Sequence, residues 1–369
     1  MIHNSRVRIA LVQDYIKEYG GAERVLRVLA DIFPEAPIYT AFRVNGSTAA
    51  KCFTDRKIIE SSLAPILKTG KLYSPLRFLA PLVWGCFDLS RYDLVVVSSS
   101  WYITRGFKVG LKTKVIDYCH TPPRWLYGYE TSVGLTKYWP VKIYAAIVGH
   151  FMRLFDFKTA QGIKYWIANS KNVQARIKKF YRKDSTVIYP PVDVENIIKQ
   201  TPGIKKEDFY LIVSRQVGAK GIEKAVEMAQ KLKIKLKIVG EGDRFSRKNS
   251  PDIEFLGRVE DEELYRLYAQ AKGFIALARD EDFGLTVVEA QAAGTPVIAF
   301  NGGGFRESII DGVTGILIND TKTSTLASAI KSLNRLKWDK ELLQKNAQRF
   351  SKERFVTEIK NYVKNITQD

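Results

Sequence analysis

Glu281 and Glu289, separated by seven residues, lie in Arg279-Asp-Glu-Asp-Phe-Gly-Leu-Thr-Val-Val-Glu289, which crosses an acidic turn and enters a helical pattern. A helix starting near Gly284 has free backbone N–H groups around Phe283, Gly284 and Leu285, a place for a phosphate oxygen. Glu289, farther into the helix, can accept two hydrogen bonds from neighbouring hydroxyls such as those of a ribose, while Glu281 faces the other end of the ligand. An acidic helix start alone needs no ligand, because carboxylates favour the positive end of the dipole. In Ser214-Arg-Gln-Val-Gly-Ala-Lys220, two cations flank a turn, and Arg215 with Lys220 can hold a diphosphate and offset its charge as it leaves. Each alone would pass as a solvated surface charge; their place directly after a strand gives them meaning.

His120, one of three histidines, falls in Asp117-Tyr-Cys-His-Thr-Pro-Pro-Arg124, again after a strand. The proline pair favours extended backbone and lets the ring point from the strand end toward a sugar. Lone histidines are more often structural, and adjacent Cys119 and His120 face opposite ways on a strand, so no zinc site is expected. Gly20-Gly21-Ala22-Glu23 forms a glycine turn opening a helix, able to approach a phosphate closely. The three-glycine dinucleotide fingerprint and the Walker lysine loop are both absent, which excludes a nicotinamide cofactor and a P-loop nucleotide site.

The elements that must position these residues alternate. Apolar runs of strand length occur at 6–13, 93–98, 114–119, 165–168 and 186–189, with a helix over 22–33 ended by Pro34. After Pro190-Pro191 a second series has strands at 209–213, 236–239, 253–255, 273–277 and 296–299. Helices are expected at 221–232, 261–271, 285–293 and 323–336. Alternation of this kind predicts an α/β chain with two parallel, doubly wound, Rossmann-like domains that bind ligands at the carboxyl ends of their strands, across a cleft. The expected limits are 1–195 for an acceptor-binding domain, 196–345 for a donor-binding domain and 346–369 for a helical tail, packing back on the first domain.

The chain has 369 residues with 46% hydrophobic and 26% charged, enough for a sizeable core and too apolar for disorder. No apolar run reaches the length of a membrane span or a signal peptide, so a cytoplasmic protein is expected. Cys52, Cys86 and Cys119 are odd in number and widely spaced, reading as reduced thiols. The net charge of +19 is uneven: residues 1–200 hold 30 basic and 15 acidic residues, net +15, and residues 201–369 hold 28 and 24, net +4. The excess is spread over many elements rather than clustered with aromatics, so an anionic membrane surface fits better than nucleic acid. Leu72-Tyr-Ser-Pro-Leu-Arg-Phe-Leu-Ala-Pro-Leu-Val-Trp84, flanked by Lys71 and carrying Arg77, is either a membrane-facing helix or a core helix pair.

Together these segments resemble the retaining glycosyltransferases of family four, of GT-B fold, over nearly the whole chain. Glu281 and Glu289, within Phe283-Gly284-Leu285 and Glu289-Ala-Gln-Ala-Ala-Gly-Thr-Pro296, match the family's paired glutamates. Arg215 and Lys220 match its diphosphate-gripping cations, Gly20-Gly21 its glycine loop and His120 its active-site histidine. Val239-Gly240-Glu241-Gly-Asp243 and Leu256-Gly-Arg258 resemble its nucleotide-base region, and Asn301-Gly-Gly-Gly-Phe-Arg-Glu-Ser308 and Gly312-Val-Thr-Gly315 are similar to further family stretches. The segments 13–23 and 118–127 look most like bacterial mannosyltransferases of surface-polysaccharide assembly, which use GDP-mannose.

The resemblance implies transfer of a sugar with retention, from a nucleotide-sugar donor to a glycan or polyprenyl-linked acceptor. It implies catalysis by Glu281, His120, Arg215 and Lys220, with no cofactor and no metal. Asp280-Glu-Asp282 could pass for the metal-binding aspartate pair of the GT-A fold, but the further oxygen ligands are missing. Three alternatives stand beside this reading. They are a GT-B phosphorylase or sugar-nucleotide epimerase, a basic nucleic-acid-binding protein, and an inert sugar-binding scaffold.

Overall fold

The computed structural model describes residues 7–69, 73–129, 139–217, 220–242 and 250–368. It divides into two compact units, one made of 1–129, 134–189 and 355–369, the other of 130–133 and 190–354.

Unit one opens with β1 (Ile9–Gln13), α1 (Gly21–Ile32), β2 (Ile38–Thr40), α2 (Thr48–Cys52), β3 (Ile58–Glu60), α3 (Ala64–Lys68) and α4 (Ala80–Gly85). It continues through β4 (Leu94–Ser99), β5 (Lys114–Cys119), α5 (Trp139–Gln161), β6 (Tyr165–Ala168), α6 (Lys171–Tyr181) and β7 (Thr186–Val187). Its seven strands form one sheet in the order β3-β2-β1-β4-β5-β6-β7, every pair parallel. Strand side chains alternate between two cores, as the period of two requires. Ala10, Val12, Val95 and Val97 join one, and Leu11, Leu94, Val96 and Ile116 the other. Covering both faces is why these strands read as unbroken apolar runs.

Unit two contains α7 (Val194–Gln200), β8 (Tyr210–Val213), α8 (Ile222–Leu232), β9 (Leu236–Val239), β10 (Ile253–Gly257), α9 (Asp261–Gln270) and β11 (Gly273–Ala276). There follow α10 (Leu285–Ala292), β12 (Val297–Phe300), α11 (Phe305–Ser308), β13 (Gly315–Ile318), α12 (Thr323–Arg335) and α13 (Lys340–Gln348). Its six parallel strands run β10-β9-β8-β11-β12-β13. Ile212, Ile238, Ile275 and Ile298 pack on α8 and α12 through Ala225, Met228, Leu326 and Ile330.

The last helix, α14 (Lys352–Gln368), begins in unit two and passes into unit one at Phe355. Phe355, Ile359 and Ile366 are buried in one of that unit's two cores, at about 1.5–3 kcal/mol each, which fixes the tail there. The break between units falls at Tyr189/Pro190, where 195/196 was expected, and the second unit runs to Arg354, where 345 was expected. Ala80, Val83 and Trp84 are core residues, and the indole N–H of Trp84 donates to Tyr102 O at 3.0 Å. Arg77 lies over the rings of Trp101 and Trp125, 5.5 and 4.5 Å from their centres, while Phe78 and Leu82 of the same segment are exposed. Lys71 and Leu72 lie outside the described residues.

Candidate active site

In unit two the chain leaves β8 toward β9 and returns through β11 on the other side, so the strand order reverses between β8 and β11. Loops at such a point diverge and leave a crevice at the carboxyl ends of the strands. Arg215 and Lys220 follow β8; Glu281, Phe283 and Gly284 follow β11. Lys220 Nζ donates to Glu281 Oε2 at 2.6 Å, with side chains 26% and 20% exposed, so the pair is reachable by a ligand. Arg215 is exposed in the same β8 loop. Gly218 and Ala219, between the two cations, lie outside the described residues.

The Glu281 turn rests on a glycine shelf. Gly304 N–H donates to Glu281 O at 2.9 Å. A Cβ on Gly304 would stand 2.5 Å from the Asp282 carbonyl oxygen and 2.8 Å from its carbon. One on Gly303, at φ +55°, would stand 3.0 Å from the Glu281 nitrogen. The stretch Asn301–Gly304, singled out above only by resemblance, thus lets one backbone press against another. Gly284 has φ +91° as the N-cap of α10, and a Cβ there would meet the Phe305 ring at 2.6 Å. Phe283 is buried against Phe350, ring centres 5.2 Å apart, and Leu285 opens α10 half-buried.

Glu289 is buried on α10 and accepts a hydrogen bond from the Tyr268 hydroxyl at 2.8 Å. Tyr268 went unnoticed in the sequence, where it sits on the apolar face of α9 with nothing to distinguish it from core. Val239, Gly240 and Glu241 leave β9 beside the β8 loop. Gln216 N–H donates to Glu241 O and its side-chain amide to Gly240 O, both at 2.9 Å. Gly240 N–H donates to Gly257 O at 2.6 Å, and Arg258 follows, exposed. Gln216, Gly240, Glu241, Gly242, Phe255, Leu256 and Gly257 line an open cleft of about 510 Å³. Gln216 was also missed, though it lies next to Arg215. Asp243 is outside the described residues.

Unit one reverses its strand order in the same way, between β1 and β4. His120 directly follows β5 and is buried, with Nε2 2.8 Å from the Ser98 hydroxyl and its ring edge-on to Tyr118. Burial lowers its pKa to about 4, so the ring is neutral at pH 7. It can share hydrogen bonds there but does not carry a charge. Gly20 is the extended N-cap of α1 and Gly21 its first residue, exposed. The buried Glu23 carboxylate accepts from Gly20 N–H at 3.1 Å, so the helix start holds an anion of its own.

Two buried networks hold these loops. Asp14, at the end of β1, accepts from Ser100 Oγ at 2.6 Å, Trp101 N at 2.6 Å and Tyr102 N at 3.1 Å, and from the Thr104 hydroxyl. It ties the β1 loop to the β4 loop. Asp117, first in the His120 segment, accepts from Arg105 at 2.9 Å and Ser99 Oγ at 2.5 Å. Arg105 also pairs with buried Asp156, which accepts from Tyr181 at 2.9 Å and Tyr127 at 2.6 Å. Desolvation raises the Asp117 pKa, offset in part by Arg105. Asp117 therefore ties β5 to the end of β4 and to the Arg105 segment that follows it.

Two open parallel sheets, each flanked by helices and each presenting its charged and glycine-rich loops at a reversal of strand order, define the GT-B class of α/β protein. A family model for "Glycosyltransferase Family 4" matches residues 19–196, and one for "Glycosyl transferases group 1" matches 193–352. The Alpha-1,3/1,6-mannosyltransferase ALG2 of Dictyostelium discoideum is 30% identical over 293 residues, 66% of this chain and 68% of that one. The chain belongs to this glycosyltransferase family. An uncharacterized glycosyltransferase of Methanocaldococcus jannaschii is 26% identical over 205 residues, 54% of this chain and 57% of that one, so the match spans little more than half of that relative. HepE of Anabaena, solved with UDP and glucose, shares the fold at a TM-score of 0.67 and 17% identity, over 97% of this chain and 100% of that one. No helix among the described residues is long and apolar enough to cross a membrane.

Proposed function

We propose that this protein transfers mannose, with retention of configuration and without a metal, from GDP-mannose to a glycan or polyprenyl-linked acceptor at the cytoplasmic face of the cell membrane. The Lys220–Glu281 pair at 2.6 Å carries the reading. It sets a cation and a hydroxyl acceptor side by side where the strand order reverses, which a leaving diphosphate and its sugar both need. Lys220 and Arg215 neutralise the diphosphate as the anomeric C–O bond breaks, a task that elsewhere falls to a metal ion. Glu281 accepts from sugar hydroxyls, and in doing so frees the Lys220 ammonium for the phosphate. Glu289 takes the ribose, held in place by Tyr268, and the cleft beside Gly240 and Glu241 takes the base. The acceptor hydroxyl attacks the face the leaving group vacates, and a donor phosphate oxygen takes its proton. Neutral His120 contacts the sugar by hydrogen bonding. The relative named as a mannosyltransferase supports mannose as the sugar.

A thermal-shift screen of nucleotide sugars in EDTA, followed by product analysis with the responding donor, tests this. A shift with GDP-mannose and transfer in EDTA are expected. A response to UDP sugars alone would overturn the donor, and activity restored only by added divalent metal would overturn the metal-free mechanism.

A further inference from the structure

We infer that the outer face of α5 is the surface by which this protein lies on an anionic bilayer. The helix has 23 residues, about 34 Å at 1.5 Å per residue. Met152, Asp156 and Ala160, spaced by four, are buried against unit one. On the opposite side Trp139, Ile143, Ile147, Phe151 and Leu154, spaced by four and three, are 73%, 52%, 56%, 64% and 57% exposed. Large apolar side chains at consecutive turns form a stripe, not the scatter normal to a soluble surface.

Charge identifies the occupant. Lys142, Arg153 and Lys158 are exposed along the helix, and its one carboxylate, Asp156, is buried and paired with Arg105. From 139 to 183, through α5, β6 and α6, the chain carries ten basic residues and one acidic. The exposed Lys179 and Arg182, and Lys178 paired with exposed Asp184 at 2.7 Å, sit near the C-terminal end of α5, since Gln161 donates to Tyr181 O at 3.0 Å and Lys183 to Gln161 O at 3.0 Å. At its other end Tyr144 donates to Pro75 O, which joins α5 to the segment that exposes Phe78 and Leu82. An apolar stripe edged by cations, with no exposed carboxylate on the helix, suits acyl chains below and anionic headgroups around it. A protein partner matched by charge would have to be strongly acidic around a greasy centre.

This inference rests on the membrane-linked acceptor proposed above, but its observations are those of α5 and the elements beside it, and flotation itself needs no donor. The full chain is floated with vesicles of phosphatidylcholine and phosphatidylglycerol, or of phosphatidylcholine alone. Recovery is expected chiefly with the anionic vesicles, falling with salt. Ile147→Glu/Phe151→Glu, two exposed positions, should lower it by about tenfold or more while leaving the circular dichroism and donor hydrolysis unchanged. Lys142→Gln/Lys158→Gln should weaken binding to anionic vesicles only. Wild type that stays with the soluble fraction, or a double glutamate variant that floats equally well, would overturn the inference. So would sedimentation showing a dimer that the glutamates dissolve, because α5 would then face a second copy. Flotation without sugar transfer would sink the enzymatic proposal alone, and transfer without flotation would sink this one alone.

Discussion

Gly304→Ala separates the steric role of the glycine shelf from ordinary backbone preference. Gly304 has φ −68° and ψ −13°, a conformation any residue adopts. On backbone grounds alanine should therefore stabilise the protein by about 0.4–1 kcal/mol. The space says otherwise: the new methyl would stand 2.5 Å from the Asp282 oxygen and 2.8 Å from its carbon. Ordinary contact needs about 3.5 Å, so the Asp282–Phe283 backbone must retreat by about 1 Å. Overpacking of this kind costs about 1–3 kcal/mol, and a 1 Å displacement of a positioning group about 10²-fold in rate. Gly312→Ala is the opposite case, with φ +74° and nothing within 4 Å. It should lose about 1–2 kcal/mol from left-handed strain and keep full activity. Calorimetry reads the stabilities, at about 2–4 °C per kcal/mol for a unit of this size, and kcat/KM for sugar transfer is measured well below either melting point. A Gly304→Ala protein that melts above wild type and turns over normally would refute the shelf.

Three further outcomes follow from the same geometry. Glu281→Gln, which keeps shape and removes charge, should lower kcat by about 10²–10³-fold with little change in melting temperature, as should Lys220→Ala; normal turnover in either, in a steady-state transfer assay, would remove the pair from the mechanism. The His120 pKa of about 4 lies below its unfolded value of 6.5, so the native state binds fewer protons between them. Stability from this group is complete above pH 6.5 and is lost as pH falls toward 4, by up to about 3 kcal/mol. Urea titrations from pH 4 to 7 should show a flatter curve for His120→Gln, and parallel curves would contradict the burial of a neutral ring. Arg105→Met should destabilise unit one by about 3–5 kcal/mol, because it leaves buried Asp117 and Asp156 without their cation; a melting temperature within about 2 °C of wild type would deny that network its structural role.

Long, doubly covered strands were legible because burial on both faces demands an unbroken apolar run. Lys114–Cys119 and Tyr165–Ala168 appear at their expected limits, and α10 begins at the expected Leu285. The short strands β2 and β3 left no such mark: three residues are too few to establish a period, and the sheet supplies what local preference does not. The strand β13 hides in a glycine-bearing stretch legible only as family-like. The tail was ambiguous because amphipathic periodicity in α14 fixes which face is buried, not which sheet it meets. Positively charged and glycine residues of the site were readable from their place after strands, whereas Tyr268 and Gln216 act through contacts between loops distant in sequence. The helix α5 failed for a different reason. Apolar residues on both its faces erase the phase of the helical period, and nothing local in sequence distinguishes Met152, buried in the core, from Phe151, one residue away and facing out. A helix with apolar residues on two faces is ordinarily covered on both. The exposed apolar side of α5, with Lys142, Arg153 and Lys158 along the helix, is the observation on which the proposed bilayer surface stands.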